Sequence, residues 1–96
     1  MAIQSFNDGI ARVFFVSGTI KKGVGWSSIA RIVKRKFDIL HYAVELDDLR
    51  APPGNRLELL KGNSKGLHSI RINDQWRIVF RWSESGPQDV QITDYH

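Results

Sequence analysis

Two arginines, Arg71 and Arg77, stand six positions apart in the run SIRINDQWRI, on either side of an Asp74-Gln75 turn. Strict alternation in an antiparallel hairpin sends Ile70 and Ile72 to one side, and Ser69, Arg71 and Asn73 to the other. The next run repeats the pattern, with Trp76, Ile78, Phe80 and Trp82 opposed to Arg77, Val79 and Arg81. Both guanidinium groups therefore leave the sheet on its polar side, and Lys61 closes the strand before them. Three cations on one face repel one another unless an anion lies between them. Phosphate suits such a place, because guanidinium forks match its oxygens bidentately and remain charged. The competing reading is a set of solvated surface cations, each paired with Glu58, Asp74 or Asp94. The residues alone leave both readings open.

The last three residues are Asp94-Tyr95-His96. A histidine passes protons near neutral pH, and a tyrosine can donate, stack on a base or orient a phosphate. Beside a cationic pocket this pair supplies what cleavage of RNA by its own 2′-hydroxyl requires: a base, cations for the dianionic phosphorane, and an acid for the leaving 5′-oxygen. No metal enters that scheme. A terminal histidine is otherwise a frayed residue, and alternation places Tyr95 with Gln91 and Thr93 but His96 on the opposite side, so the strand end must curl for both to reach one pocket. Other candidates are weaker. His41 lies at the edge of a helical apolar stripe, and His68 begins a strand next to a glycine turn. Ser17, Ser27 and Ser28 read as turn and cap residues, and no carboxylate cluster has metal-ligand spacing.

Several elements must position these groups. Ala2 to Phe6 alternates like a short strand, Ile10 to Val16 reads as a short helix closed by Ser17-Gly18, and Lys21 to Gly25 as a loop. Trp26, Ile29, Ala30, Val33, Phe37, Leu40 and Val44 recur at helical spacing, which predicts a helix over 27–44, capped by Ser27 or Ser28. Its opposite face carries Arg31, Lys34, Arg35 and Asp38. Pro52-Pro53-Gly54 interrupts regular structure. Four strand-length runs follow, at 56–60, 67–73, 76–82 and 89–94, and read as an antiparallel meander. The expected fold is α+β, with two helices in the N-terminal half packed on a twisted antiparallel sheet. The helix covers the sheet's apolar side and leaves the cationic side for a ligand.

Length and composition narrow the classes further. Ninety-six residues suit one domain, 1–96, and the absence of cysteine excludes a thiol nucleophile, a disulfide scaffold and thiolate metal sites. No apolar run approaches the ~20 residues of a membrane-spanning helix, so the expected location is the cytoplasm. Fourteen basic and ten acidic side chains give a net charge of +4, which is compatible with a polyanionic partner without requiring one. Residues 54–96 hold six basic and five acidic groups, so a phosphate site there has to arise from placement.

The segments PPGNRLE at 52–58, LKG at 60–62, SIRINDQWRI at 69–78 and the closing Asp94-Tyr95-His96, with Ile3-Gln4-Ser5-Phe6 at the start, resemble the HigB branch of the RelE/ParE toxin superfamily. The resemblance runs over nearly the whole chain. It implies the toxin of a type II toxin–antitoxin pair, a ribosome-dependent endoribonuclease that cleaves mRNA without cofactor or metal. It also implies a small helix-turn-helix, HigA-like antitoxin, with operator DNA reached only through that partner and no membrane role. Residue by residue, it implies that Lys61 contacts the scissile phosphate or promotes proton transfer, and that Arg71 and Arg77 hold phosphate and stabilise the transition state. Asn73 and Tyr95 would position RNA, and His96 would transfer a proton. Arg31, Lys34, Arg35 and Lys36 are the expected contacts to ribosomal RNA. The loop Asn63 to His68 departs from the usual acidic-basic-glycine-aromatic pattern, which bears on codon preference. Two rival readings are a ParE-like inhibitor without catalysis and an inactive chain that only binds antitoxin and regulates an operon.

Overall fold

The computed structural model describes residues 2–61 and 66–94. Helix α1 spans Gly9–Ser17; its first turn is capped by Asp8, whose Oδ1 accepts from the Ala11 N–H at 3.1 Å. Gly18 ends it in the left-handed region at φ 79°, returning its N–H to the Phe14 carbonyl, a conformation that glycine adopts without a Cβ penalty. Helix α2 spans Ala30–Tyr42 and is entered through a 3₁₀ turn, Ser27–Ile29. Neither serine caps it: no side chain satisfies the first turn, and the tight 3₁₀ entry with Trp26 buried beneath it takes that place. Two further 3₁₀ turns, Leu46–Arg50 and Pro53–Asn55, lead to the sheet.

The sheet is antiparallel in the order β1 (Glu58–Leu59), β2 (His68–Arg71), β3 (Trp76–Ser83) and β4 (Gly86–Asp94). The meander is as expected, but three strands differ in extent. β1 is short because Arg56 sits in the left-handed region at φ 44°, which breaks extended backbone just ahead of it. β2 stops at Arg71, where the Asn73 side chain takes over the turn. β4 begins three residues early because the β3–β4 turn contracts to Glu84-Ser85, and a bulge opposite Phe80, with Asp89 at φ 53°, absorbs the extra residue. The expected N-terminal strand is reduced to a parallel bridge, Phe6 to Val90, flanked by hydrogen bonds from Gln4 to Pro87 and from Asn7 to Val90.

One side of the sheet meets both helices. Val33, Phe37 and Leu40 of α2 and Ala11 and Phe14 of α1 bury against Ile70, Ile78, Phe80 and Val90. Each Val, Leu, Ile or Phe among them contributes about 1.5–3 kcal/mol by leaving water. Phe37 is the hub of this layer, with the rings of Phe6, Phe14 and Phe15 around it at centroid distances of 5.5–6.5 Å. Gly25 is set by close approach: a Cβ there would stand 2.8 Å from the Trp76 ring.

The other side is not left wholly open. Ser69 and Val79 are buried at its centre, and Arg77 is only 7% exposed. The chain between α2 and β1 folds against it, held by Asn55, which is fully buried. The Asn55 amide donates to the Leu49 and Ala51 carbonyls at 3.1 and 3.0 Å, and its Oδ1 accepts from the Lys36 ammonium at 2.5 Å. Lys36 is therefore a buried strut rather than part of a basic docking face, because helical spacing carries it away from exposed Arg31, Lys34 and Arg35. Burial, aided by the Arg35 and Arg71 charges, lowers its pKa below the usual lysine value. The preceding turn is fixed by Asp48, whose carboxylate accepts from the Glu45 and Val44 N–H groups, and those bonds lower its pKa.

Two outcomes follow for stability. Asn55→Ala leaves a buried cation and two carbonyls without their partner and should cost about 2–3 kcal/mol in urea unfolding, whereas Lys36→Met, which removes the charge at similar volume, should cost clearly less. The second concerns His68, which stacks on Phe80 at 6.1 Å, has a buried Nδ1 without a hydrogen-bond partner among the described residues, and has its pKa lowered by burial. The fold thus favours neutral imidazole, and the unfolded chain binds more protons once pH falls below about 6.5. Unfolding free energy should decline between about pH 7.5 and 5.5, and His68→Leu should flatten that decline.

Candidate phosphate-binding site

On the polar side of the sheet, Arg56, Glu58, Arg71, Asn73, Asp74 and Arg77 line a cavity of about 210 Å³. Its floor is the register itself: Arg71 and Arg77 are direct cross-strand partners on β2 and β3. Like charges directly opposite destabilise a sheet, and this pair is held by different means on its two sides. Arg77 is tied to protein: Nε donates to Ser69 Oγ at 2.8 Å, and Nη2 to the Arg56 carbonyl at 2.6 Å, with a longer bond to the Ser69 carbonyl at 3.4 Å. Arg71 is half-buried and donates to Asp74, whose side chain is fully exposed. One guanidinium is thus preorganised by a buried hydroxyl and a part-buried carbonyl, while the other leans on a carboxylate that solvent can draw away. Three arginines face two carboxylates, Glu58 and Asp74, so the cavity keeps a net positive charge.

Asn73 lines the cavity, and its side chain has a second task. Its Oδ1 accepts from the Gln75 and Trp76 N–H groups at 2.9 and 2.8 Å, closing the turn that sets the two arginines opposite each other. Lys61 is exposed and does not line this cavity. Tyr95 and His96 lie outside the described residues; β4 reaches Asp94, which pairs with Trp76 and accepts from Gln75 Nε2 at 3.0 Å. Arg56, absent from the expected set, is brought in by tertiary structure, and Glu58, expected only as a counter-ion on this face, lines the cavity beside it. Arg56 belongs to an aperiodic connection, and its one sequence signal is its place after Pro-Pro-Gly-Asn, where a non-glycine residue takes a left-handed conformation. Among the described residues no three His, Cys, Asp or Glu side chains cluster as metal ligands, and no helix is long and apolar enough to cross a membrane.

This arrangement of helices on a four-stranded sheet has the RelE/ParE type of fold: it superposes on the YoeB/ParE toxin from Agrobacterium tumefaciens with a TM-score of 0.55 at 22% identity, over 100% of both chains. Residues 4–96 match the HigB-like toxin family, described as RelE-like toxin of type II toxin-antitoxin system HigB, and the chain belongs to that family. It is similar to Toxin HigB-1 of Vibrio cholerae serotype O1, 54% identical over 56 residues, which span 58% of this chain and 59% of that relative. It is also 34% identical over 89 residues to an uncharacterized protein of Haemophilus influenzae, covering 93% and 87% of the two chains.

The two arginines should separate in stability. Arg77→Ala strands the buried Ser69 Oγ and takes a donor from the part-buried Arg56 carbonyl, and should lower unfolding free energy by about 2–3 kcal/mol. Arg71→Ala breaks an ion pair whose partner is exposed and should cost under about 1 kcal/mol. Urea titration of both variants checks this.

Proposed function

We propose that this chain is a ribosome-dependent endoribonuclease that cleaves mRNA and stops translation, held in check by an antitoxin. The observation that carries the reading is the cross-strand pair Arg71 and Arg77 in a cationic cavity of about 210 Å³, one guanidinium held by Ser69 and Arg56 and the other able to exchange Asp74 for an incoming anion. Family membership supports it.

In the proposed reaction the 2′-oxygen attacks the adjacent phosphorus, the P–O5′ bond breaks, and the products are a 2′,3′-cyclic phosphate and a free 5′-hydroxyl. A base accepts the 2′-proton, and an acid returns one to the 5′-oxygen. Arg71 and Arg77 neutralise the charge that builds on the equatorial oxygens; such stabilisation grows towards the transition state and therefore speeds the step rather than only binding substrate. Lys61 and His96 are assigned the proton transfers, with Asn73 and Tyr95 positioning the RNA. The substrate's ribosome and the antitoxin are the two macromolecular partners of this reading.

The test is to induce the chain in bacterial cells and map mRNA 5′ ends by primer extension. New ends inside translated reading frames are expected, falling about 100-fold or more in Arg71→Ala and in His96→Ala. Arg71→Ala is the informative variant because it should cost under about 1 kcal/mol of stability. Growth arrest without new ends would overturn the nuclease reading.

A further inference from the structure

Arg56 lines the cavity with a side chain that the fold does not use. Its main chain is fully engaged: the N–H donates to the Pro53 carbonyl at 3.2 Å, and the carbonyl accepts from Arg77 Nη2 at 2.6 Å. The residue before it, Asn55, is fully buried, so the backbone at this point is fixed. The side chain is exposed, and among the described residues its guanidinium has neither an ion pair nor a hydrogen bond. Arg71 and Arg77, by contrast, hold Asp74 and Ser69. The backbone sharpens the point. Arg56 sits in the left-handed region at φ 44°, where a Cβ is strained and glycine is the stable choice. Its side chain adds nothing to the turn, and its charge is left for a ligand.

We propose that Arg56 binds the phosphate next to the scissile one, so that the cavity grips two consecutive phosphates of one RNA strand. The proposal rests on the nuclease reading above and adds to it how the strand is held. Oxygen atoms separate the two phosphates. A phosphodiester offers two non-bridging oxygens, and the opposed forks of Arg71 and Arg77 suffice for both. Charge agrees. Asp74 is fully exposed and yields Arg71 to an incoming anion; three guanidinium groups then face Glu58 alone, and the surplus of two positive charges matches two phosphodiesters rather than one. The cations differ in what they do for the reaction. Arg77 is buried and fixed where charge builds up, whereas Arg56 is an exposed cation at a phosphate whose charge does not change. Such a contact holds ground state and transition state alike, and so sets affinity and the register of the strand rather than rate.

The test uses the full chain and two RNA probes whose 2′-hydroxyls are methylated so that neither can be cut: a dinucleotide with one phosphodiester and a trinucleotide with two. Affinities are read by NMR titration at low salt, with thermal unfolding as a check that the fold is kept. The wild type should bind the trinucleotide about 10-fold more tightly than the dinucleotide. Arg56→Gly, which suits the left-handed backbone, should lose that preference while binding the dinucleotide as before. Arg56→Asn, tolerated in the same region, should behave alike, whereas Arg71→Ala should weaken both probes. The slope of log K against log salt for the trinucleotide should fall by about 0.7 in both Arg56 variants. In single-turnover cleavage of ribosome-bound mRNA, half-saturation should rise with the maximal rate unchanged. An undiminished trinucleotide preference in the Arg56 variants overturns the proposal. So does an equal loss for the two probes, which would put Arg56 on the same phosphate as Arg71. A wild type that cuts mRNA but shows no trinucleotide preference overturns the second phosphate contact alone, whereas one that shows the preference through Arg56 and cuts nothing overturns the nuclease reading alone.

Discussion

The buried contact between Lys36 and Asn55 is the constraint on which the site's geometry depends. An ammonium group withdrawn from water is costly unless its charge is met by good acceptors, and here it meets the amide oxygen of a fully buried asparagine. That asparagine spends its two amide hydrogens on carbonyls of the same connection, Leu49 and Ala51. Helix α2 and the segment entering the sheet are thereby fixed to each other at one point. The next residue, Arg56, is turned into the left-handed region and offers its carbonyl to Arg77. A chain of polar contacts thus runs from the helix to the guanidinium that floors the cavity.

The cavity is built on an unfavourable pairing. Opposed arginines on neighbouring strands would be replaced by an opposite-charge or apolar pair if sheet stability alone were at stake. Their repulsion is offset locally, by Ser69 and the Arg56 carbonyl on one side and by Asp74 on the other. The two arrangements differ in what they permit. Ser69 and the Arg56 carbonyl hold Arg77 in one orientation, so the anion of the proposed reading would meet a guanidinium that needs little reorganisation. An exposed carboxylate holds Arg71 only until a more highly charged ligand competes for it.

The sheet separates two kinds of contact. Its apolar side is covered by helices, and its polar side carries the arginines. Alternation along β2 and β3 guarantees that the two lie on opposite faces. A one-residue slip would exchange them, and the Asn73 turn, which receives two backbone N–H groups on one side-chain oxygen, blocks that slip.

The α+β class, the order of two helices and four strands, the inward Ile and Phe positions on β2 and β3, the Val33, Phe37 and Leu40 face of α2 and the shared face of Arg71 and Arg77 were legible in the residues, because periods of two and 3.6 state which side of an element meets the core; the same spacing carried the helix on to Val44, which lies past its end at Tyr42 and is 66% exposed. The left-handed stop of α1 at Gly18 was legible for the same local reason. What periodicity does not carry is how far apart elements settle. It placed Lys36 on the basic helical face, although its side chain reaches inward to Asn55. It missed Arg56, which joins the cavity only because a buried asparagine draws an aperiodic connection against the sheet, and gave Glu58 only as a counter-ion of the competing reading. It also predicted an open cationic face, whereas Arg77 is buried and engaged by backbone and hydroxyl acceptors. Local pattern decides the direction in which a side chain leaves its element; contacts between residues distant in sequence, such as Lys36 with Asn55 and Arg77 with Arg56, decide what waits there, and these follow from packing in three dimensions.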